Sequence, residues 1–139
     1  KLSNRILLKL ADVEKLPFKN NSFQAITSGF GVRNFDSIDT GLSEMYRVLD
    51  KNGVLVILEP SKPSKFPIKQ LYNIYFTYIL PLLGKIISKD KKAYTYLTNS
   101  VNAFASKKIF LKKLEKIGFN DCKHIPLTFG IASLYSAKK

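Results

Sequence analysis

The 139-residue chain has the usual length of one domain, and its 45% hydrophobic and 24% charged residues predict a globular protein with a buried core. Cys122 and His124 are the only cysteine and the only histidine, which excludes an intramolecular disulfide and a structural zinc site and fits a reducing compartment. The longest uncharged run, residues 70–84, is shorter than the roughly 20 residues of a membrane-spanning helix, and no secretion signal is visible, so we expect a cytoplasmic protein.

The formal net charge of +13 is concentrated in one half of the chain. Residues 1–60 contain eight Lys and Arg against seven Asp and Glu, whereas residues 61–139 contain fifteen against three. Only three of the 23 basic residues are arginine, the residue that suits phosphate and guanine recognition, so we do not expect a nucleic-acid partner. A solvated lysine-rich surface and contact with an anionic membrane surface both explain this charge.

Apolar runs in the first 60 residues predict strands of an α/β fold. A short run, Arg5–Ala11, is followed directly by Asp12, and a second strand is predicted at Phe23–Ser28. The continuous run Val54–Leu58 is typical of a strand buried on both faces of a parallel sheet, and Glu59 lies at its C-terminal end.

Helical periodicity appears between and after these strands. The first helix begins after Asp36 or Ser37 and ends near Asp50; its inward residues are Ile38, Leu42, Met45 and Leu49. An aromatic helix is predicted at Ile68–Leu80, with one stripe along its side that consists of Leu71, Tyr75, Tyr78 and Leu82. A second polar and aromatic segment covers Ala93–Ala105.

The C-terminal third begins with a helix that Ser106 can cap. Its predicted inward residues are Ile109, Phe110, Leu114 and Ile117, with lysines on the outer side. Two strands, Asp121–Leu127 and Gly130–Ser136, follow with a very short turn between them. That spacing predicts an antiparallel hairpin.

Four motifs then occur in a fixed order: Phe-Gly-Val-Arg-Asn at 30–34, Leu-Glu-Pro-Ser-Lys-Pro at 58–63, Leu-Leu-Gly at 82–84 and Tyr-Thr-Tyr-Leu at 94–97. With them, the chain resembles the ubiquinone/menaquinone biosynthesis C-methyltransferase family along nearly its whole length. The stretches ADVEKLPF and RVLDKNG are more general and are similar to class I S-adenosylmethionine methyltransferases as a group.

The resemblance implies a Rossmann-like class I methyltransferase sheet that is present from its third strand onward. Residues 1–139 are then the C-terminal portion of one domain, and residues 60–105 are an aromatic insertion on the substrate side. The implied reaction is S-adenosylmethionine-dependent C-methylation of a polyprenylated quinol, either demethylmenaquinol or the ubiquinol precursor. The family's glycine-rich cofactor loop has no counterpart in this sequence, so we expect the isolated chain to be inactive and to bind S-adenosylmethionine weakly.

The resemblance also implies which residues face the cofactor. Asp12 and Val13 match the positions that meet the adenine, where a carboxylate can accept from the exocyclic amine and a backbone N–H can donate to the ring. Gly29 matches the position that faces the methionine part, and many relatives have serine there. The plainer alternative for Asp12 is a strand-end or turn carboxylate.

Other residues are implied to act on the substrate. Arg33 is expected to orient and polarise the quinol oxygen, and Glu59 is the candidate base, because a carboxylate beside a buried strand is costly unless it is paired or catalytic. The plainer alternatives are a surface ion pair for Arg33 and a Glu59–Lys62 pair. The expected substrate contacts are Asn34, Tyr72, Tyr75 and Tyr94. For Tyr72, Tyr75, Tyr78, Tyr94 and Tyr96 a core layer is the first explanation and an apolar substrate tunnel the second. No metal site is expected.

The remaining expectations concern the partners of the chain and the alternatives to this enzyme. The aromatic helix, flanked by Lys65, Lys69 and Lys85, is expected to enclose the isoprenoid tail and to contact an anionic membrane surface. The family's strand order leaves the Phe23 edge open, so Arg5–Ala11 either pairs with Phe23–Ser28 or the chain self-associates. The alternatives to this enzyme are a related methyltransferase for another small lipid and a non-enzymatic basic module that binds membrane or nucleic acid.

Overall fold

The computed structural model describes residues 6–80, 82, 91–104 and 107–139, and of residues 91–95 it describes the backbone alone. Its strands are β1 (Phe23–Gly29), β2 (Leu49–Pro60), β3 (Asn120–Leu127) and β4 (Ala132–Lys138). They form one sheet in the order β1-β2-β4-β3. β1 pairs with β2 in parallel, and β4 pairs antiparallel with both β2 and β3. The α/β class and the C-terminal antiparallel hairpin are therefore confirmed.

The helices are α1 (Ile38–Val48), α2 (Ile68–Ile74), α3 (Lys91–Ala103) and α4 (Lys107–Ile117). α2 continues directly into a π-helical turn, Tyr75–Ile79, so the predicted aromatic helix is present with a wider last turn. Ser37 begins α1 as predicted, because its Oγ accepts from the Thr40 N–H at 3.3 Å. The predicted cap Ser106 lies outside the described residues.

The core lies between the sheet and the helices α1 and α4, which also contact each other. Its fully buried side chains include Leu42, Leu49, Leu55, Ile57, Phe110 and Leu114. Alternate residues of β2 point into this core, and Glu59 continues the same alternation with no exposed surface. A carboxylate is thereby placed on the buried face of the sheet.

The prediction that β2 is buried on both faces is wrong. Leu55 and Ile57 are fully buried, but Val54, which points to the other face, is 36% exposed. The helices α1 and α4 cover only one face of the sheet among the described residues. The inward position predicted for Ile109 is also wrong: this side chain is exposed, whereas its neighbour Phe110 enters the core.

The predicted strand Arg5–Ala11 is not formed in its described part. Residues 6–11 have no regular secondary structure and are exposed, with Leu7, Leu8 and Leu10 almost completely accessible. A strand needs a hydrogen-bonded neighbour, and β1 pairs only with β2 among the described residues. The proposed pairing with Phe23–Ser28 is therefore absent, and self-association through the β1 edge stays a prediction.

The stripe Leu71, Tyr75, Tyr78 and Leu82, called the aromatic stripe below, faces solvent rather than the core. Leu71 is 60% and Tyr78 is 70% exposed, and the other two members are exposed as well. The core-layer explanation of the tyrosines is therefore wrong for Tyr75 and Tyr78, whereas it holds for Tyr72, which is buried. No helix in the described part of the chain is both long and apolar enough to cross a bilayer.

Candidate active site

The end of β1 lies beside the end of β2, because their parallel register pairs Gly29 with Leu58. The chain leaves β1 through Phe30, whose N–H donates to the Leu58 carbonyl at 2.7 Å. Phe30 has a φ of 58°, a left-handed conformation that costs a bulky residue about 1–3 kcal/mol. The strained turn brings the residues after Phe30 back over the carboxyl ends of both strands, where open α/β sheets bind their ligands.

Arg33 and Glu59 form a buried ion pair at this edge. The Arg33 Nη1 atom lies 3.0 Å from Glu59 Oε2, and the side chains are 11% and 0% exposed. The second carboxylate oxygen, Oε1, accepts from the Val32 N–H at 2.7 Å. Both oxygens of Glu59 are thus hydrogen-bonded, which offsets the cost of burying the carboxylate. The alternative that Glu59 pairs with Lys62 is wrong.

Two more contacts fix the guanidinium of Arg33. Nη1 also donates to the Phe30 carbonyl at 2.7 Å, and Nε donates to Ser100 Oγ at 3.3 Å. A guanidinium has five N–H donors, and within the described residues Nη2 donates to none. The plane of the side chain is therefore set, and Nη2 is the end of the guanidinium without a partner in the described part of the chain.

Asn34 is held next to Arg33 by the same turn. Its Nδ2 donates to the Phe30 carbonyl at 3.3 Å, and its Oδ1 accepts from the Tyr96 hydroxyl at 2.9 Å. Helix α3 thus contributes two side chains, Tyr96 and Ser100, that are one helical turn apart and lie against the loop. We call Arg33, Asn34, Glu59, Tyr96 and Ser100 the Arg33 cluster.

Sequence analysis identified Arg33, Asn34 and Glu59 but did not assign Tyr96 and Ser100 to the site. Their i, i+4 spacing places both on one side of a helix and is the signal that could have found them. Tyr96 was one of the tyrosines considered for a core layer or a substrate tunnel. No local sequence pattern indicates that α3 contacts a loop more than 60 residues earlier. The side chain of the predicted substrate contact Tyr94 lies outside the described residues.

Asp12 lies on a separate segment that packs on α1. Its Oδ1 accepts from the Glu14 N–H at 2.9 Å and begins the short 3-10 turn Val13–Lys15, while Val13 packs against the core. Glu14 accepts from the Ser37 N–H at 2.6 Å, which ties the turn to the start of α1. The carboxylate of Asp12 stays exposed on this anchored turn.

Arg47 and Glu44 hold the rest of that segment. Arg47 donates to the Leu16 and Phe18 carbonyls, and Glu44 accepts from the Leu16 N–H at 2.9 Å. The hydrogen bond from Arg47 holds the pKa of Glu44 below its ordinary value. The two general motifs, ADVEKLPF and RVLDKNG, are therefore connected by hydrogen bonds, and these bonds hold the segment of the Asp12 turn in place.

Gly29 leaves open space at the end of β1, since a side chain built there would meet no atom within 4 Å. The hydroxyl of Tyr72 is buried and has no hydrogen-bond partner among the described residues. Burial raises the pKa of Tyr72 to about 12, so the hydroxyl stays protonated at neutral pH. Tyr75 is half-exposed on the aromatic stripe.

Comparison with known proteins adds the following findings. Residues 2–139 match the ubiE/COQ5 methyltransferase family. The chain is 46% identical over 138 residues to the demethylmenaquinone methyltransferase of Bacteroides fragilis. The match covers 99% of this chain and 56% of that protein. The chain is 41% identical over 129 residues to the ubiquinone/menaquinone biosynthesis C-methyltransferase UbiE of Coxiella burnetii, covering 93% and 52%. The chain thus spans about half the length of the curated relatives it matches.

Solved structures share the fold. A methyltransferase of Thermotoga maritima, described as a possible histamine N-methyltransferase, superposes on this chain with a TM-score of 0.61 at 18% identity. The match covers 91% of this chain and 61% of the Thermotoga protein. Phosphoethanolamine N-methyltransferase 2 of Haemonchus contortus, solved in complex with S-adenosyl-L-methionine, has a TM-score of 0.62 at 14% identity, with 92% and 36% covered. The fold of the chain is therefore that of S-adenosylmethionine-dependent methyltransferases.

Proposed function

Because this chain belongs to the ubiE/COQ5 methyltransferase family, we propose that it forms the quinol-facing part of an S-adenosylmethionine-dependent C-methyltransferase. The substrate is a polyprenylated quinol, either demethylmenaquinol or the equivalent ubiquinol precursor. The observation that carries this proposal is the Arg33 cluster: a buried, fixed guanidinium at the carboxyl edge of the sheet that keeps donors for a ligand oxygen.

The residues present fit one side of the cofactor. S-adenosylmethionine supplies a methyl group that the positive charge on its sulfur activates. The exposed Asp12 carboxylate on its anchored turn is suited to accept from the adenine amine, and the Val13 backbone to donate to the ring. The open space at Gly29 lets the backbone of β1 approach the methionine part without a side chain between them.

Arg33 orients the acceptor ring. A donor pair on Nη2 can hold a quinol oxygen in one place, which sets the ring carbon at the position where it meets the methyl group. Asn34 stands beside it and is fixed by Tyr96. A guanidinium stays protonated at neutral pH, so Arg33 stabilises negative charge on the quinol oxygen rather than removing its proton.

Glu59 is our candidate acceptor for the proton that leaves the quinol. Its Oε2 accepts a hydrogen bond from Arg33 Nη1. When Oε2 accepts the proton, the ion pair is replaced by a neutral acid beside Arg33, and Arg33 stabilises the negative charge that develops on the quinol oxygen. Tyr72 offers a protonated hydroxyl that lacks a partner among the described residues, and it is suited to donate to an oxygen of the substrate. Tyr75 and Tyr94 complete the proposed substrate contacts.

The aromatic stripe is proposed to contact the membrane that holds the polyprenyl tail. Four apolar or aromatic side chains point outward from one side of α2 and the turn after it, and exposed patches of this kind mark interaction sites. Lys65 and Lys69 lie at the start of the same helix, and residues 61–139 carry fifteen basic against three acidic residues. Both features are suited to an anionic leaflet, with the protein in peripheral contact from the cytoplasmic side.

A direct assay tests the reaction. The native gene product is incubated with S-adenosylmethionine and either reduced demethylmenaquinone or a non-quinol phenol of similar tail length. We expect methylation of the quinol ring carbon and none of the phenol. Methylation of the phenol alone would contradict the proposal and favour a related methyltransferase with another lipid substrate.

A further inference from the structure

A cavity lies beside the Arg33 cluster, and none of the members of that cluster lines it. It has a volume of about 1020 Å³ and opens between the segment after β2, the end of α3, the start of α4 and the β3–β4 hairpin. That volume is at the upper end of the range of about 300–1,000 Å³ usual for ligand sites. Its position next to Pro60, directly after Glu59, makes it a neighbour of the proposed active site with a separate lining.

The charge of this lining is entirely of one sign. Lys62, Lys65 and Lys107 line the cavity, and no Asp or Glu does so among the residues that the structure describes. All three lysines are exposed, so a ligand in the cavity can reach their ammonium groups. A concave surface with three cations and no acid attracts anions more strongly than the same charges spread over a flat surface.

A hydrogen-bonded chain of polar groups forms part of the same lining. His124 Nε2 lies 2.9 Å from Ser133 Oγ, which donates to Ser61 Oγ at 2.9 Å. Ser61 Oγ in turn donates to the Gly130 carbonyl at 2.8 Å. Burial and the charge of Lys107 lower the pKa of His124, which places the Lys107 ammonium in its electrostatic reach. Neutral donors and acceptors thus accompany the three lysines.

Aromatic side chains supply the apolar part of the cavity. Phe104 is partly buried, whereas Phe66 and Phe129 are largely exposed. Phe129 has a φ of 57° and its neighbour Thr128 one of 47°, so two successive residues adopt the costly left-handed conformation. The strained turn keeps a phenyl ring at the cavity surface, where an apolar ligand would cover it.

We propose that this cavity binds the phosphate headgroup of an anionic amphiphile, with Lys62, Lys65 and Lys107 around the phosphate and the three phenyl rings against the hydrocarbon. The site goes beyond the proposed methyl transfer, since no member of the Arg33 cluster lines it. Charge complementarity favours phosphate over a neutral headgroup, and the rings favour an amphiphile over inorganic phosphate. This site also differs from the aromatic stripe, whose members do not line the cavity.

Binding of monomeric dihexanoyl phosphatidylglycerol to the native gene product tests the proposal. The variant Lys107→Gln is compared with Lys108→Gln, which removes the same charge from the adjacent, exposed position outside the cavity. We expect Lys107→Gln to weaken binding about fivefold and Lys108→Gln to leave it unchanged within about twofold. Equal weakening by both variants would overturn the proposal, because it would show unspecific attraction to the basic surface.

Three competing ligands and one spectroscopic signal complete the test. Dihexanoyl phosphatidylcholine, inorganic phosphate and the neutral alcohol geranylgeraniol should each bind at least about tenfold more weakly than the anionic lipid. The NMR signal of the His124 ring, assigned by its loss in His124→Gln, should shift on addition of the lipid. An unshifted signal, or equal binding of any one of the three competitors, would overturn the assignment. These readouts are independent of methyl transfer, so the two proposals can fail separately.

Discussion

The Arg33 cluster and the aromatic stripe place their side chains in opposite environments. In the cluster, strand register and a strained turn bury an arginine and a carboxylate, and both carboxylate oxygens and two of the three guanidinium nitrogens are paired with protein atoms. In the stripe, a regular helix presents apolar side chains to solvent, with lysines at its start. Both arrangements are unfavourable in isolation: the first contains buried charge and the second exposed apolar surface. Each is therefore the basis of a proposal: contact with a reacting oxygen for the cluster, and contact with an apolar partner for the stripe.

The largest expected effect comes from breaking the buried pair. Glu59→Ala leaves the Arg33 guanidinium, which is 11% exposed, without its carboxylate, and we expect the free energy of unfolding to fall by about 3–5 kcal/mol. Urea denaturation of the native gene product measures this. As a control, Asp121→Ala breaks the exposed Asp121–Lys138 pair and should lower the free energy of unfolding far less. Equal losses in both variants would mean that the burial of the first pair contributes nothing.

The next effect concerns the stripe, where substitutions should change membrane binding and leave folding intact. Leu71→Gln with Tyr78→Gln removes two exposed apolar side chains, and we expect about 100-fold weaker partition to vesicles that contain phosphatidylglycerol. Stability should stay within about 0.5 kcal/mol, because both residues are exposed. The matched control Asn73→Ala changes a polar exposed residue of the same helix. Unchanged partition in the double variant would contradict the proposed membrane contact.

A smaller effect is expected at Tyr72, a proposed contact to the substrate. Tyr72→Phe removes only a hydroxyl that has no partner among the described residues, so folding should not suffer. If the hydroxyl donates to the quinol, KM should rise about tenfold with the native fold retained. Tyr78→Phe, at the exposed stripe, should leave KM unchanged. A Tyr72→Phe enzyme with wild-type KM would exclude this hydroxyl as a substrate contact.

The smallest effect is a pH dependence from His124. Burial and Lys107 lower its pKa below the ordinary value of 6.5, so the unfolded chain binds the proton more readily than the folded one. The corresponding stability is fully present above pH 6.5 and is lost as the pH falls through the lowered pKa. The side chain is partly exposed, so the loss between pH 7 and 5 should be small. His124→Gln should remove this part of the pH dependence; an identical profile in the variant would contradict it.

Sequence patterns predicted the elements better than their surroundings. The strands β1 and β2, the hairpin and the helices α1, α2 and α4 follow from periodicity, and the positions of Phe110 and Leu114 were correct. Helix α3 was predicted only as a polar and aromatic segment. Periodicity does not show what covers a face, however, so the stripe containing Tyr78 was assigned to a core layer although it is exposed. For the same reason Arg5–Ala11 was predicted as a strand although its described residues have no pairing partner.

The partners of the site residues depend on tertiary structure. Glu59 was predicted to be paired or catalytic because burial of a carboxylate is costly. The structure shows it buried, with Arg33 rather than the nearby Lys62 as its partner. The parallel register of β1 and β2 brings Arg33 closer than a residue three positions away, and no local pattern encodes that register. The i, i+4 spacing of Tyr96 and Ser100 indicates one side of a helix, but the contact between Ser100 and Arg33 spans 67 positions of sequence and depends on where α3 packs.

The role of Arg33 is the central claim, and Arg33→Lys tests it most directly. Lysine keeps a positive charge beside Glu59, which protects the fold. It cannot reproduce the three directed contacts of a guanidinium together with the Nη2 donors, which have no partner among the described residues. We compare kcat for quinol methylation with the calorimetric Kd for S-adenosylmethionine in the native gene product. The account predicts a kcat at least about 100-fold lower with a Kd unchanged within about threefold. Equal losses in kcat and in cofactor affinity would contradict it and would place Arg33 in the cofactor pocket.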